Sequence, residues 1–165
     1  PDLIRSFLEV TDEANAAEIT PFSIATRGIS ALSVTTQSMA LTRDSAAILD
    51  WFAGTGDAST QIEIELNIAN HGGTPAMVEC LSDDSGHFEI PVSMVNALLD
   101  LGFSGFPSVS LTRAASNTAN TEYGCVDLRA QSTTVLSVDI EGLISCSDNT
   151  DCPDEQTCQA DLTCG

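Results

Sequence analysis

Near the end of the chain four cysteines recur at one interval: Cys146, Cys152, Cys158 and Cys164, with five residues between each neighbouring pair. Thiols at such spacing either cross-link or bind a metal. Zinc sites usually draw their cysteines in close pairs such as C-x2-C, and no such pair occurs in this segment. The segment also has too few large apolar residues to bury a core, so it needs staples to be ordered. Disulfides are the expected staples. Four cysteines allow three connectivities, and the interleaved pairing of Cys146 with Cys158 and Cys152 with Cys164 is the one expected. Closing the 13-residue loop from Cys146 to Cys158 stabilises such a tail by about 3 kcal/mol in the chain-entropy picture. Cys80 and Cys125 stand apart, in or beside predicted strands. A bridge between them would tie two strands together, and the alternative is a pair of buried free thiols. Six cysteines used this way point to export into an oxidising space, with an extracellular or cell-surface location.

Hard oxygen ligands are the second chemical signal. Asp148, Asn149, Asp151 and Asp154 crowd the same tail, and Asp83 with Asp84 form a smaller group. Either could hold calcium, the one cofactor the sequence suggests, although neither has the spacing of an EF-hand loop. Catalytic signals are weaker. His71 lies in a glycine turn and His87 on the polar parity of a strand, and both are expected to be solvated. Asp84-Ser85-Gly86 resembles the Asp-Ser-Gly of aspartic proteases, but those need two facing carboxylates and a much longer chain. The same three residues make a hairpin turn with Gly86 at positive φ. Neither Ser30 nor Ser104 sits in a Gly-x-Ser-x-Gly elbow. An esterase-like triad using His87 and Asp83 is the remaining hydrolase reading, and the chain is expected not to be an enzyme.

Composition narrows the partners. The net charge is -19, with five arginines and no lysine to offset it. Nucleic acid and anionic lipid are both repelled by such a surface, which leaves other protein modules, cationic partners or a second copy. No run approaches the roughly 20 apolar residues that span a bilayer, so no membrane insertion is expected. The chain opens on Pro1 without a signal segment, as a processed chain or an excised part of a longer one would.

Ile62, Ile64, Leu66 and Ile68 alternate with polar residues, the period of a half-buried strand. Ala47, Leu49 and Trp51 form an earlier strand, Val78 and Cys80 resume after His71-Gly72-Gly73-Thr74-Pro75, and Phe88 and Ile90 follow the Asp83-Asp84-Ser85-Gly86 turn. Leu32 and Val34 lie on one parity and Met39 and Leu41 on the other, so a bulge or a break near Thr36 is expected. From Pro91 to Gly102 the period changes to a helical one. There Ser93 could cap, Met94, Leu98 and Leu101 share a face, and Gly102 ends the turn. Strands are predicted again over Ser108 to Thr112, Cys125 to Ala130 and Leu136 to Ile140, with Ala114 to Asn120 as a small polar loop. Pro1 to Ile19 fits a helix, an edge strand through Phe7 to Val10, or an acidic linker.

The expected fold is therefore all-β. It is an antiparallel β-sandwich with one short connecting helix and a small disulfide-stapled tail, divided into an N-terminal segment 1–22, a sandwich 23–142 and a cysteine-rich module 143–165. The strand ending in Trp51, the alternating strand after a glycine turn and the late helix resemble an immunoglobulin-like or fibronectin type III-like sandwich, with a jelly-roll as the rival. Trp51 precedes both Cys80 and Cys125, so the cysteine–tryptophan–cysteine order of true immunoglobulin domains is absent. Asp151-Cys152-Pro153 and Cys158 resemble the short cysteine-rich modules at the ends of secreted bacterial surface proteins and in whey-acidic or Dickkopf-type domains. These resemblances imply a non-catalytic structural or adhesive module, able to assemble with other modules or itself. The alternative is a sandwich that binds carbohydrate or protein, for which Trp51, Tyr123 and six phenylalanines offer few stacking platforms.

Overall fold

Alternation of buried and exposed residues decides the architecture of this computed structural model, which describes residues 7–11, 22–54, 60–69, 76–122 and 124–165. His71 lies outside the described residues. Among the described residues nine strands occur in the order β1 Phe7–Thr11, β2 Ser23–Arg27, β3 Met39–Leu41, β4 Ala47–Asp50, β5 Thr60–Asn67, β6 Met77–Asp83 and β7 His87–Ile90, then β8 Ser108–Thr121 and β9 Gly124–Ile140. One helix, α1 Val92–Asp100, lies between β7 and β8. The main sheet has the order β3-β9-β8-β5-β6 and is antiparallel except for the short β3–β9 pair, which is parallel.

β4 and β7 form a second, two-stranded antiparallel sheet. Ile62, Ile64 and Leu66 of β5 with Val109 and Leu111 of β8 form the inner face of the main sheet, and Ala47, Leu49 and Ile90 close the same core from the small sheet. Trp51 extends β4 through a bridge to Val34, and Thr35 and Thr36 both donate their amides to the Asp50 carbonyl. Two successive amides on one carbonyl are the pattern of a bulge, one of the two irregularities expected near Thr36, and Leu32, Met39 and Leu41 all reach the core.

Two expectations change. Ala114 to Asn120 is not a loop: β8 runs unbroken to Thr121 and pairs with β9 down to Gly124. Small polar residues are weak strand formers, but the ladder to β9 imposes the conformation. β2 packs against both strands, Ile24 and Thr26 of β2 and Ala114 and Ala115 of β8 are all buried, and Asn117 donates its side-chain amide to the Ala25 carbonyl at 2.7 Å. Beyond Ala115, where β5 ends, β8 and β9 continue as a two-stranded arm.

The helix also differs in detail. Pro91 is its N-cap and Ser93 makes no side-chain cap. The buried face is Val95, Leu98 and Leu99, while Met94 and Leu101 are exposed. Gly102, at φ 93°, ends it as expected.

Among the described residues, no helix is long and apolar enough to cross a membrane.

Candidate functional site

The most developed polar constellation lies at the turn between β6 and β7, where the chain passes from the main sheet to the small one. Along β8, Val109 and Leu111 point inward, and the same parity delivers Arg113 into the interior, where it is 2% exposed. A buried guanidinium without acceptors would be too costly to keep. Here every N–H has one. Nε donates to Asp84 Oδ2 at 2.8 Å, and Nη2 donates to Asp84 Oδ1 at 3.0 Å and to the Phe52 carbonyl at 2.6 Å. Nη1 reaches the Ser30 carbonyl, the Ser30 hydroxyl and the Ala31 carbonyl at 3.3, 3.1 and 3.1 Å.

Asp84 is equally committed. Its Oδ1 also accepts the Trp51 indole N–H at 2.8 Å, and the Gly54 backbone N–H donates to the carboxylate. Burial pushes this carboxyl up, but the hydrogen bonds from Arg113, Trp51 and Gly54 and the Arg113 charge together outweigh burial and hold it below the usual carboxylate range. A Cβ on Gly54 would stand 2.1 Å from Asp84 Oδ2, so only glycine lets the backbone approach this closely. Gly86, at φ 93°, makes the turn that presents Asp84. Trp51 itself is 4% exposed and packs in the core.

Asp83 and Asp84 therefore do not share a site: Asp83 is exposed while its neighbour turns inward, as successive strand residues must. His87 is exposed and meets Asp50, with Nδ1 2.7 Å from Oδ1, rather than Asp83. In the tail, Asp148 and Asp151 cap their own 3-10 turn, Asn149–Asp151. Asp148 Oδ1 accepts the Thr150 amide and hydroxyl, which hold its carboxyl below the usual range, and Asp151 Oδ2 accepts the Ser147 amide at 2.7 Å. Asp154 joins neither, and among the described residues no three carboxylates gather.

The tail bridges are Cys146–Cys158 and Cys152–Cys164, the interleaved pairing. The sulfurs of Cys146, Cys152 and Cys164 lie close together, but all are spent in these bonds and offer no thiolate to a metal. Cys80 and Cys125, in contrast, are not bonded to each other. Cys80 sits opposite Ile64 on β6, and Cys125 opposite Asn120 on the β8–β9 arm. β5 and β8 separate their strands, three spacings of about 4.8 Å, whereas a disulfide requires Cα atoms within about 7 Å. Burial pushes the Cys80 thiol up, and Cys125 is exposed with its thiol 3.1 Å from Asn120 Oδ1.

Sequence reasoning missed Arg113 altogether. The signal was present in its parity: an arginine in register with Val109 and Leu111 must be buried or must break the strand.

No protein-family model, curated protein or solved structure matches the chain. Its description is accordingly structural: an all-β chain with a curled main sheet and a disulfide-bonded C-terminal tail. The two bridges fit an oxidising compartment.

Proposed function

We propose that this chain is a non-catalytic structural or adhesive module of an extracellular or cell-surface protein, built on an immunoglobulin-like sandwich. The observation that carries the reading is the closure of the Trp51–Asp84–Arg113 network. The arginine, carboxylate and indole that could have done chemistry spend their hydrogen bonds on one another and on the backbone of residues 30, 31, 52 and 54. Nothing in that network is left pointing at a substrate. The burial of Trp51 also takes away the best platform for stacking a sugar.

The strand order supports the immunoglobulin-like arrangement. β5, β8 and β9 are neighbours in one sheet with β6 outside β5, and β4 and β7 pair in the facing layer, the placement of strands C, F and G, of C′, and of B and E in such domains. The chain departs from that pattern in placing its tryptophan at the end of β4 and in leaving Cys80 and Cys125 unbonded.

Beads coated with the chain test the function. They should adhere to one another or to surfaces of immobilised extracellular proteins more than beads coated with an inert protein of matched negative charge. Absence of adhesion, or turnover of ester, glycoside or peptide substrates that disappears in His87→Ala, would overturn the reading.

A further inference from the structure

β6 is the last strand of the main sheet. It pairs with β5 in unbroken register from Gln61↔Asp83 to Asn67↔Met77, and among the described residues no strand pairs with its other side. An edge of this kind is a template for another strand, and proteins usually blunt it with charged side chains, proline or a bulge. β6 has neither proline nor a bulge, and its charges, Glu79 and Asp83, are both acidic, so they deter a like-charged strand and not a basic one. Its outward side chains are Met77, Glu79, Leu81 and Asp83, with Leu81 68% and Met77 46% exposed. Glu65 stands directly opposite Glu79, a like-charge pair that costs stability. Glu63, opposite Leu81, has Arg129 as its partner, and among the described residues no cation meets Glu65 or Glu79. These residues border a hollow of about 550 Å³ on the outer face of the sheet, lined by Glu63, Glu65, Glu79, Leu81, Ser110 and Thr112.

We propose that β6 is a docking edge that accepts an extended, cationic segment of another protein as a sixth strand. This deepens the adhesive reading and rests on it. Charge selects the occupant. A second copy would bring another -19 to a face already acidic, whereas a basic strand relieves the Glu65–Glu79 repulsion. Backbone pairing supplies affinity and alternate side chains supply specificity. The outward residues of the added strand stand opposite Met77, Glu79, Leu81 and Asp83. The matching segment therefore carries lysine or arginine at two positions four apart, facing Glu79 and Asp83, and an apolar residue midway between them, facing Leu81. The cation opposite Glu79 reaches over the edge into the hollow.

The probe is a labelled, end-capped peptide of alternating threonine and outward residues, in the outward order lysine, leucine, lysine, leucine. A control peptide of the same composition puts its two lysines on opposite parities. At physiological salt the whole chain should bind the alternating peptide at least tenfold more tightly than the control, by fluorescence anisotropy. Glu79→Lys should weaken that binding at least tenfold, as should Leu81→Lys; Leu81→Lys should keep the wild-type melting midpoint, and Glu79→Lys should melt at or slightly above it, because it replaces the Glu65–Glu79 repulsion with an attraction. Equal affinity for the two peptides, no saturable binding, or unchanged binding by both variants would overturn the proposal. So would a dimer of the chain alone that Glu79→Lys dissolves, which would make a second copy the occupant. Beads coated with Glu79→Lys separate the two readings. Adhesion without peptide binding is the result expected if other surfaces also adhere, and peptide binding by wild type without any bead adhesion would remove the adhesive reading while supporting the docking edge.

Discussion

Arg113→Met should lower the free energy of unfolding by about 3–5 kcal/mol, the usual cost of removing one partner from a buried ion pair. The cost arises because Asp84, whose side chain is 6% exposed, keeps its charge and loses its cation. The carbonyls of Ser30, Ala31 and Phe52 lose their donors in the same step. Replacing both members, Arg113→Met with Asp84→Leu, should restore part of the loss, since an apolar pair has no charge to strand. The measurement is urea unfolding of wild type, both single variants and the double. A loss below 1 kcal/mol in Arg113→Met would mean that the guanidinium is not what holds the turn. The pH dependence has a definite sign. Asp84 has a lower value folded than unfolded, so its contribution is complete above the unfolded carboxylate value of about 4 and is lost as pH falls through the folded value.

Removal of the tail bridges should give the second-largest effect, and it should be local. Each bridge joins cysteines 12 positions apart and so closes a 13-residue loop, both ends counted, and is worth about 3 kcal/mol to the tail's own order. Besides the bridges, the tail is held by short-range bonds such as Cys146 N to the Leu162 carbonyl and Cys164 N to the Ile144 carbonyl. These do not bury a core of the size that the sandwich does. Cys152→Ser with Cys164→Ser should therefore make residues 146–165 cleavable by protease while the melting midpoint of the sandwich moves by no more than a few degrees. A midpoint that falls with the bridge would show that the tail and sandwich unfold as one unit.

The elements most legible in the sequence were those with strict alternation and a clear turn. β5 was read from Ile62, Ile64, Leu66 and Ile68, and all four are buried. The tail pairing was legible as well, because evenly spaced cysteines in a segment without a core leave few alternatives. Long-range pairing was harder to see. The arm of β8 is strand only because β9 lies beside it and β2 across it, and nothing in Ala-Ser-Asn-Thr composition announces that. The Cys80–Cys125 bridge failed for the same reason, since the distance between two strands is set by the sheet order and not by the sequence between them. The Arg113 network sat between these extremes: Asp84 was visible as a turn residue and Trp51 as the end of a strand, but their meeting depends on which strand lies next to which.

The buried Trp51–Asp84–Arg113 constellation is expected to serve the fold and not catalysis. A general acid needs a carboxyl raised toward working pH, whereas a structural acceptor is held ionised by its donors. A carbon-13 NMR titration of the Asp84 carboxyl in the intact chain separates the two. The predicted result is a carboxyl that titrates below the usual aspartate range for as long as the protein remains folded, and that shifts upward in Arg113→Met. A carboxyl in the wild-type chain that takes up its proton at or above the usual aspartate value would contradict the account.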